Sequence, residues 1–151
     1  MTSSFKQRVY SHCLELLDEK IQHLQKNLRE LKEGTENDTK SSAGDKHETS
    51  QAMMQLEFEK ISRILDELQR QKNELEKIDI NLVSGKIKPG SLINTNNGCL
   101  FVSAAIGKIM VDNVPVMVIS MLSPVAVKLI GQQEGGIVQI NGMEYRVQSL
   151  E

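Results

Sequence analysis

Two long heptad patterns converge on Ser41-Ser42-Ala43-Gly44-Asp45-Lys46-His47-Glu48, and their register folds the chain back at this point. On the N-terminal side, Tyr10, Leu14, Leu17, Ile21, Leu24, Leu28 and Leu31 recur at alternating intervals of four and three. That is a coiled-coil seam, narrower than the apolar face of an ordinary globular helix, and it predicts one helix over about 4–33. On the C-terminal side, Met54, Phe58, Ile61, Leu65, Leu68, Lys72, Leu75 and Ile78 continue the same rhythm and predict a second helix over about 46–78. Lys72 is the one polar intruder on that seam, a place for a snorkelling side chain or a register device.

The two seams pair in opposite directions. Leu31 falls opposite Met54, Leu24 opposite Ile61, Leu17 opposite Leu68 and Tyr10 opposite Leu75, so each step up one helix is a step down the other. An antiparallel hairpin requires that relation, and its midpoint lies beside Asp45. The polar stretch 34–44, opened by Gly34 and rich in turn formers, is expected to be the connecting loop. At about 1.5 Å per residue the arm would project on the order of 45–50 Å.

Composition sets the outer limits. The 151 residues are 39% hydrophobic with a formal net charge of -2, which fits one ordinary domain or two small ones and disfavours binding nucleic acid by charge alone. Cys13 and Cys99 lie far apart without metal-ligand spacing and are expected as reduced thiols. No apolar run of membrane-spanning length and no signal-peptide core occurs, so a cytoplasmic location is expected. Trp is absent and aromatics are 3%, which argues against aromatic-lined pockets and base-stacking platforms.

After Asp79 the character changes. Lys88-Pro89-Gly90 signals a turn, and β-branched residues predict strands at about 91–95, 98–106, 109–112, 114–121, 136–140 and 143–149. Turns are signalled at Asn96-Asn97-Gly98, Asp112-Asn113 and Asn141-Gly142. Ser123-Pro124 opens a short helix that closes at Gly131. The expected fold class is therefore α+β: an N-terminal antiparallel two-helix coiled-coil hairpin over 1–78, then a small antiparallel β domain with one short helix over 79–151.

Asp45 and Glu48, at i and i+3 of a helix start, are the candidate functional pair. Their ordinary reading is a capping box, each carboxylate accepting from a backbone N–H at the other's position. Their position at the end of a long arm suggests a second use, since such an arm can carry carboxylates into another macromolecule's cavity. Two carboxylates do not hold Mg²⁺ tightly unaided, so a partner would supply most of the metal's shell. His47 is best read as a solvated side chain and the Met and Leu stripes as seam. No phosphate loop, Ser/His/Asp arrangement or Cys-His cluster points to an autonomous enzyme.

Gly44-Asp45-Lys46-His47-Glu48 at a hairpin tip, followed by Ile119-Ser120, Ser123-Pro124, Leu129-Ile130-Gly131, Gly135, Ile137-Val138 and Glu144-Tyr145-Arg146-Val147, resembles the bacterial Gre transcript-cleavage factors over nearly the whole chain. The resemblance implies an FK506-binding-protein-like C-terminal domain that docks at the rim of RNA polymerase's secondary channel. It implies that the hairpin passes down the channel and that Asp45 and Glu48 help hold a Mg²⁺ jointly with the polymerase. The nascent RNA 3′ end is then cut by the polymerase's own active site, so the chain is an activator and not itself an enzyme. Docking would fall to Ser123, Pro124, Lys128, Leu129 and Gly131, and the chain is expected to act as a monomer. Where the family typically continues Asn-Ala-Glu-Tyr after its Glu, this chain has Thr49-Ser50-Gln51-Ala52. A secondary-channel modulator that does not cleave, and a coiled-coil adaptor with no polymerase role, are the competing hypotheses.

Overall fold

The computed structural model describes the backbone of residues 4–41 and 45–151, and the side chains of 4–34 and 48–151. It is an α+β protein. Two N-terminal helices, α1 (Phe5–Ser41) and α2 (Asp45–Glu76), precede a six-stranded, mostly antiparallel sheet. By compactness the chain divides within the helices: Met1–Glu15 joins Asn73–Glu151 in one unit, and Leu16–Lys72 forms the other. α2 ends at Glu76, two residues before the boundary expected at 78. Among the described residues no helix is long and apolar enough to cross a membrane.

α1 corrects one expectation. A loop is predicted from Gly34, but the helix continues through Gly34 to Ser41. A single glycine costs a helix interior only about 1 kcal/mol, which a long helix absorbs. A β-carbon added at Gly34 would meet nothing within 4 Å. Gly34→Ala is therefore expected to stabilise the helical unit by roughly 1 kcal/mol in denaturant melts followed at 222 nm. An unchanged midpoint would mean that α1 does not persist through position 34 in solution.

Within Leu16–Lys72 the seam residues Leu17, Ile21, Ile61 and Leu68 are buried, and Leu24, Leu28, Leu31, Met54 and Leu65 are half-buried. Lys72, the polar residue on the seam, reaches across to Asp18 at 2.7 Å. Leu31 and Gly34 of α1 line one groove with Met54 and Ile61 of α2. Low-numbered residues of one helix thus meet high-numbered residues of the other.

The other unit is built on β1 (Leu92–Thr95), β2 (Gly98–Ser103), β3 (Gly107–Val111), β4 (Val114–Ser120), β5 (Ile137–Ile140) and β6 (Met143–Leu150), in the order β3-β4-β2-β1-β6-β5. Tight turns set the hairpins. Asp112 and Asn113 at φ 52° and 63° join β3 to β4, and Asn141 and Gly142 at φ 50° and 81° join β5 to β6. Positive φ at both central residues is what a two-residue hairpin turn demands, and Asn, Asp and Gly tolerate it. One pairing departs from the expected all-antiparallel sheet: β2 and β4 run parallel, Phe101 beside Val118. β3 has taken the edge as β4's hairpin partner, so β4 enters between β3 and β2 in the direction of β2.

Strand alternation gives the sheet two apolar faces. On one, Ile93, Leu100, Val102 and Val147 form a core with Ala126 and Leu129 of α3 (Pro124–Leu129) and with Ile87. On the other lie Leu92, Phe101, Val116 and Val118, all nearly or fully buried. The same unit contains the ends of the long helices, where Val9, Cys13 and Leu75 are fully buried. There Tyr10 Oη donates to the carbonyl of Leu75 at 3.0 Å, and Arg8 Nε donates to Asp112 Oδ2 at 2.7 Å. Gly90, at φ 92°, packs so closely on Ile78 that a β-carbon there would collide with it.

Candidate functional site

α2 begins at Asp45, so the acidic pair falls in its first turn. That end of a helix carries partial positive charge and unsatisfied N–H groups, which favours carboxylates there. Glu48 is exposed. The side chain of Asp45, and with it the expected capping box, lies outside the described residues, as do Gly44 and the side chains of Lys46 and His47. Among the described residues no group of three His, Cys, Asp or Glu side chains is arranged to hold a metal ion.

The residues proposed for docking gather around α3, each in a different setting. Ser123 is the N-cap, its Oγ accepting from the N–H of Ala126 at 3.2 Å, and Pro124 sits exposed in the first turn. Lys128 extends its ammonium to the carbonyl of Gln139 at 2.8 Å, tying the helix to β5. Leu129 is fully buried in the core, so it supports the helix from beneath and offers no side chain to a partner. Gly131, at φ 91°, turns the chain out of the helix, and its N–H donates to the carbonyl of Ile87 at 2.8 Å. The most exposed apolar side chains beside them are Leu122 and Val127, 87% and 60% exposed. Sequence reasoning passed over both because a helix of one and a half turns is too short for its faces to be read from periodicity.

No family model and no curated protein sequence matches the chain.

Two other groups bear on chemistry. Cys13 and Cys99 are unpaired and buried. Burial pushes the Cys13 thiol up to about 12 and, with Glu151 adding, the Cys99 thiol up to about 11. Reactivity requires the thiolate, so neither is set up as a nucleophile. A disulfide-exchange reagent at pH 8 is expected to label no thiol in the native protein and both in urea; fast labelling of the native protein would contradict this burial. Lys6 was not signalled by the sequence. It is buried, and its ammonium is held below the ordinary lysine value chiefly by that burial, with Lys88 adding to the effect.

Proposed function

We propose that this chain is a Gre-like transcription elongation factor that binds RNA polymerase, passes an acidic helical tip down the secondary channel and stimulates cleavage of backtracked RNA. The observation that carries the reading is the presence of two acids in the first turn of α2, Glu48 exposed, just after α1 ends in sequence at Ser41. Lys72 against Asp18, and Met54 beside Leu31, are the contacts an antiparallel hairpin would make. The six-stranded, mostly antiparallel sheet with one short helix is compatible with an FK506-binding-protein-like domain.

In this reading the tip completes a catalytic site that the polymerase mostly owns. Asp45 and Glu48 present oxygen donors, the ligand type Mg²⁺ prefers, and the metal's remaining ligands come from the polymerase, RNA phosphate and water. The Mg²⁺ would supply charge neutralisation and an activated water for hydrolysis at the RNA 3′ end. Docking at the channel rim would use the exposed surface of α3 and the turn before it, with Pro124, Val127 and Leu122 making the contacts and Leu129 holding the helix in place. The test is RNA shortening in stalled polymerase complexes on addition of the purified protein. No shortening, and no competition with a known channel ligand, would overturn the reading.

One observation favours a variant of it. Thr49-Ser50-Gln51-Ala52 follows Glu48 without a further acid or an aromatic residue. That leaves two carboxylates to do the work and supports occupancy of the channel without cutting. Competition for the channel with intact RNA would identify this case.

A further inference from the structure

α2 carries a second apolar stripe that the seam does not use. Met53 and Leu56 are each 66% exposed, and Ile64 is 42% exposed. They share one side of the helix with the exposed Lys60, at intervals of three and four, roughly 100° around from the seam of Met54, Ile61, Leu65 and Leu68. Glu57 lies between the stripe and the groove lined by Leu31, Gly34, Met54 and Ile61. Neither Glu57 nor Lys60 has an ion-pair partner among the described residues.

We infer that this face of α2 is a self-association surface, on which a second copy of the chain lays its own α2 in the opposite direction. The argument rests on charge. With a two-fold axis passing between positions 58 and 59, Glu57 faces Lys60 of the second copy and Lys60 faces its Glu57. Met53 then meets Ile64 of the second copy, with Leu56 of each copy lying between that pair and the charges. A parallel arrangement would set Glu57 on Glu57 and Lys60 on Lys60, which is repulsive, so the charges select the antiparallel one. A two-fold interface needs a patch complementary to itself, and these residues satisfy that condition. Three apolar side chains per copy fall well short of a standard interface, so the pair is weak, with a Kd on the order of 100 µM. The expected monomer is then the dilute form. The inference does not depend on the polymerase reading.

Sedimentation equilibrium of the full chain from about 10 µM to 1 mM tests it. The wild type is expected to show a monomer–dimer equilibrium. Lys60→Glu and Glu57→Lys are each expected to weaken it about tenfold or more, and the combined Glu57→Lys/Lys60→Glu chain to recover to within about threefold of wild type. Leu56→Ser is expected to weaken it without charge rescue. All these positions are exposed, and circular dichroism checks that each variant keeps its helices. A wild type that stays monomeric at 1 mM leaves the face to a different partner and overturns the inference. So does a dimer indifferent to Lys60→Glu, or a double variant that fails to recover.

Discussion

Asp45→Ala is expected to lower stimulated RNA cleavage by about 10²-fold or more, with affinity for the polymerase changed by no more than about threefold. The asymmetry follows from where the energy lies. A carboxylate beside a metal acts on the transition state, where the charge on the reacting phosphate changes, whereas attachment would depend on α3 and the body of the arm. Asp45→Asn separates this role from helix capping. Asn caps a helix about as well as Asp, so the variant should keep its thermal stability and still lose cleavage. Glu48→Gln makes the same comparison at an exposed position. If both amide variants cleave like the wild type, the acids serve only the helix end, and their loss should cost about 1 kcal/mol of stability and nothing else.

Phe101→Ala is expected to cost about 3–5 kcal/mol, the largest stability effect of any single change considered. Phe101 is fully buried on β2, with Leu92 opposite it on β1 and Val118 beside it on β4. Removing the ring takes away its transfer energy and leaves a cavity that three hydrogen-bonded strands can collapse only in part. A domain stabilised by 5–15 kcal/mol has little to spare for such a loss. The sheet-containing unit should melt roughly 12–40 °C lower, at about 4–8 °C per kcal/mol for a domain of this size. Val114→Ala, on an exposed position of β4, should shift the same melt by no more than a few degrees. Equal effects at the two positions would contradict the burial of Phe101.

The legible parts of the fold are those governed by short-range rules. The seams were readable because a 3.5-residue repeat persists over several turns on each side. Asp112-Asn113 and Asn141-Gly142 were readable because the residues that tolerate positive φ are few. Ser123-Pro124 announced α3 through its cap and its fixed φ. What escaped depends on context. Gly34 looks like a breaker, yet one glycine does not outweigh the helix on both sides of it. The parallel pairing of β2 with β4 is a choice of strand order, which local pattern does not encode. In the candidate site, Asp45 and Glu48 were singled out from their spacing, and the structure adds that both fall in the first turn of α2. Leu129 was placed on the docking surface although its side chain points into the core, and the exposed Leu122 and Val127 were passed over.

The central claim is that the start of α2 reaches the polymerase's catalytic centre. Buried Cys13 and Cys99 leave a thiol introduced by Glu48→Cys as the reactive one, so an iron chelate can be tethered there alone. In a stalled complex, radicals generated at that iron are predicted to cut the RNA within a few nucleotides of its 3′ end, together with the protein loops around the active site. Cuts confined to the polymerase's outer surface, or none at all, would contradict the account.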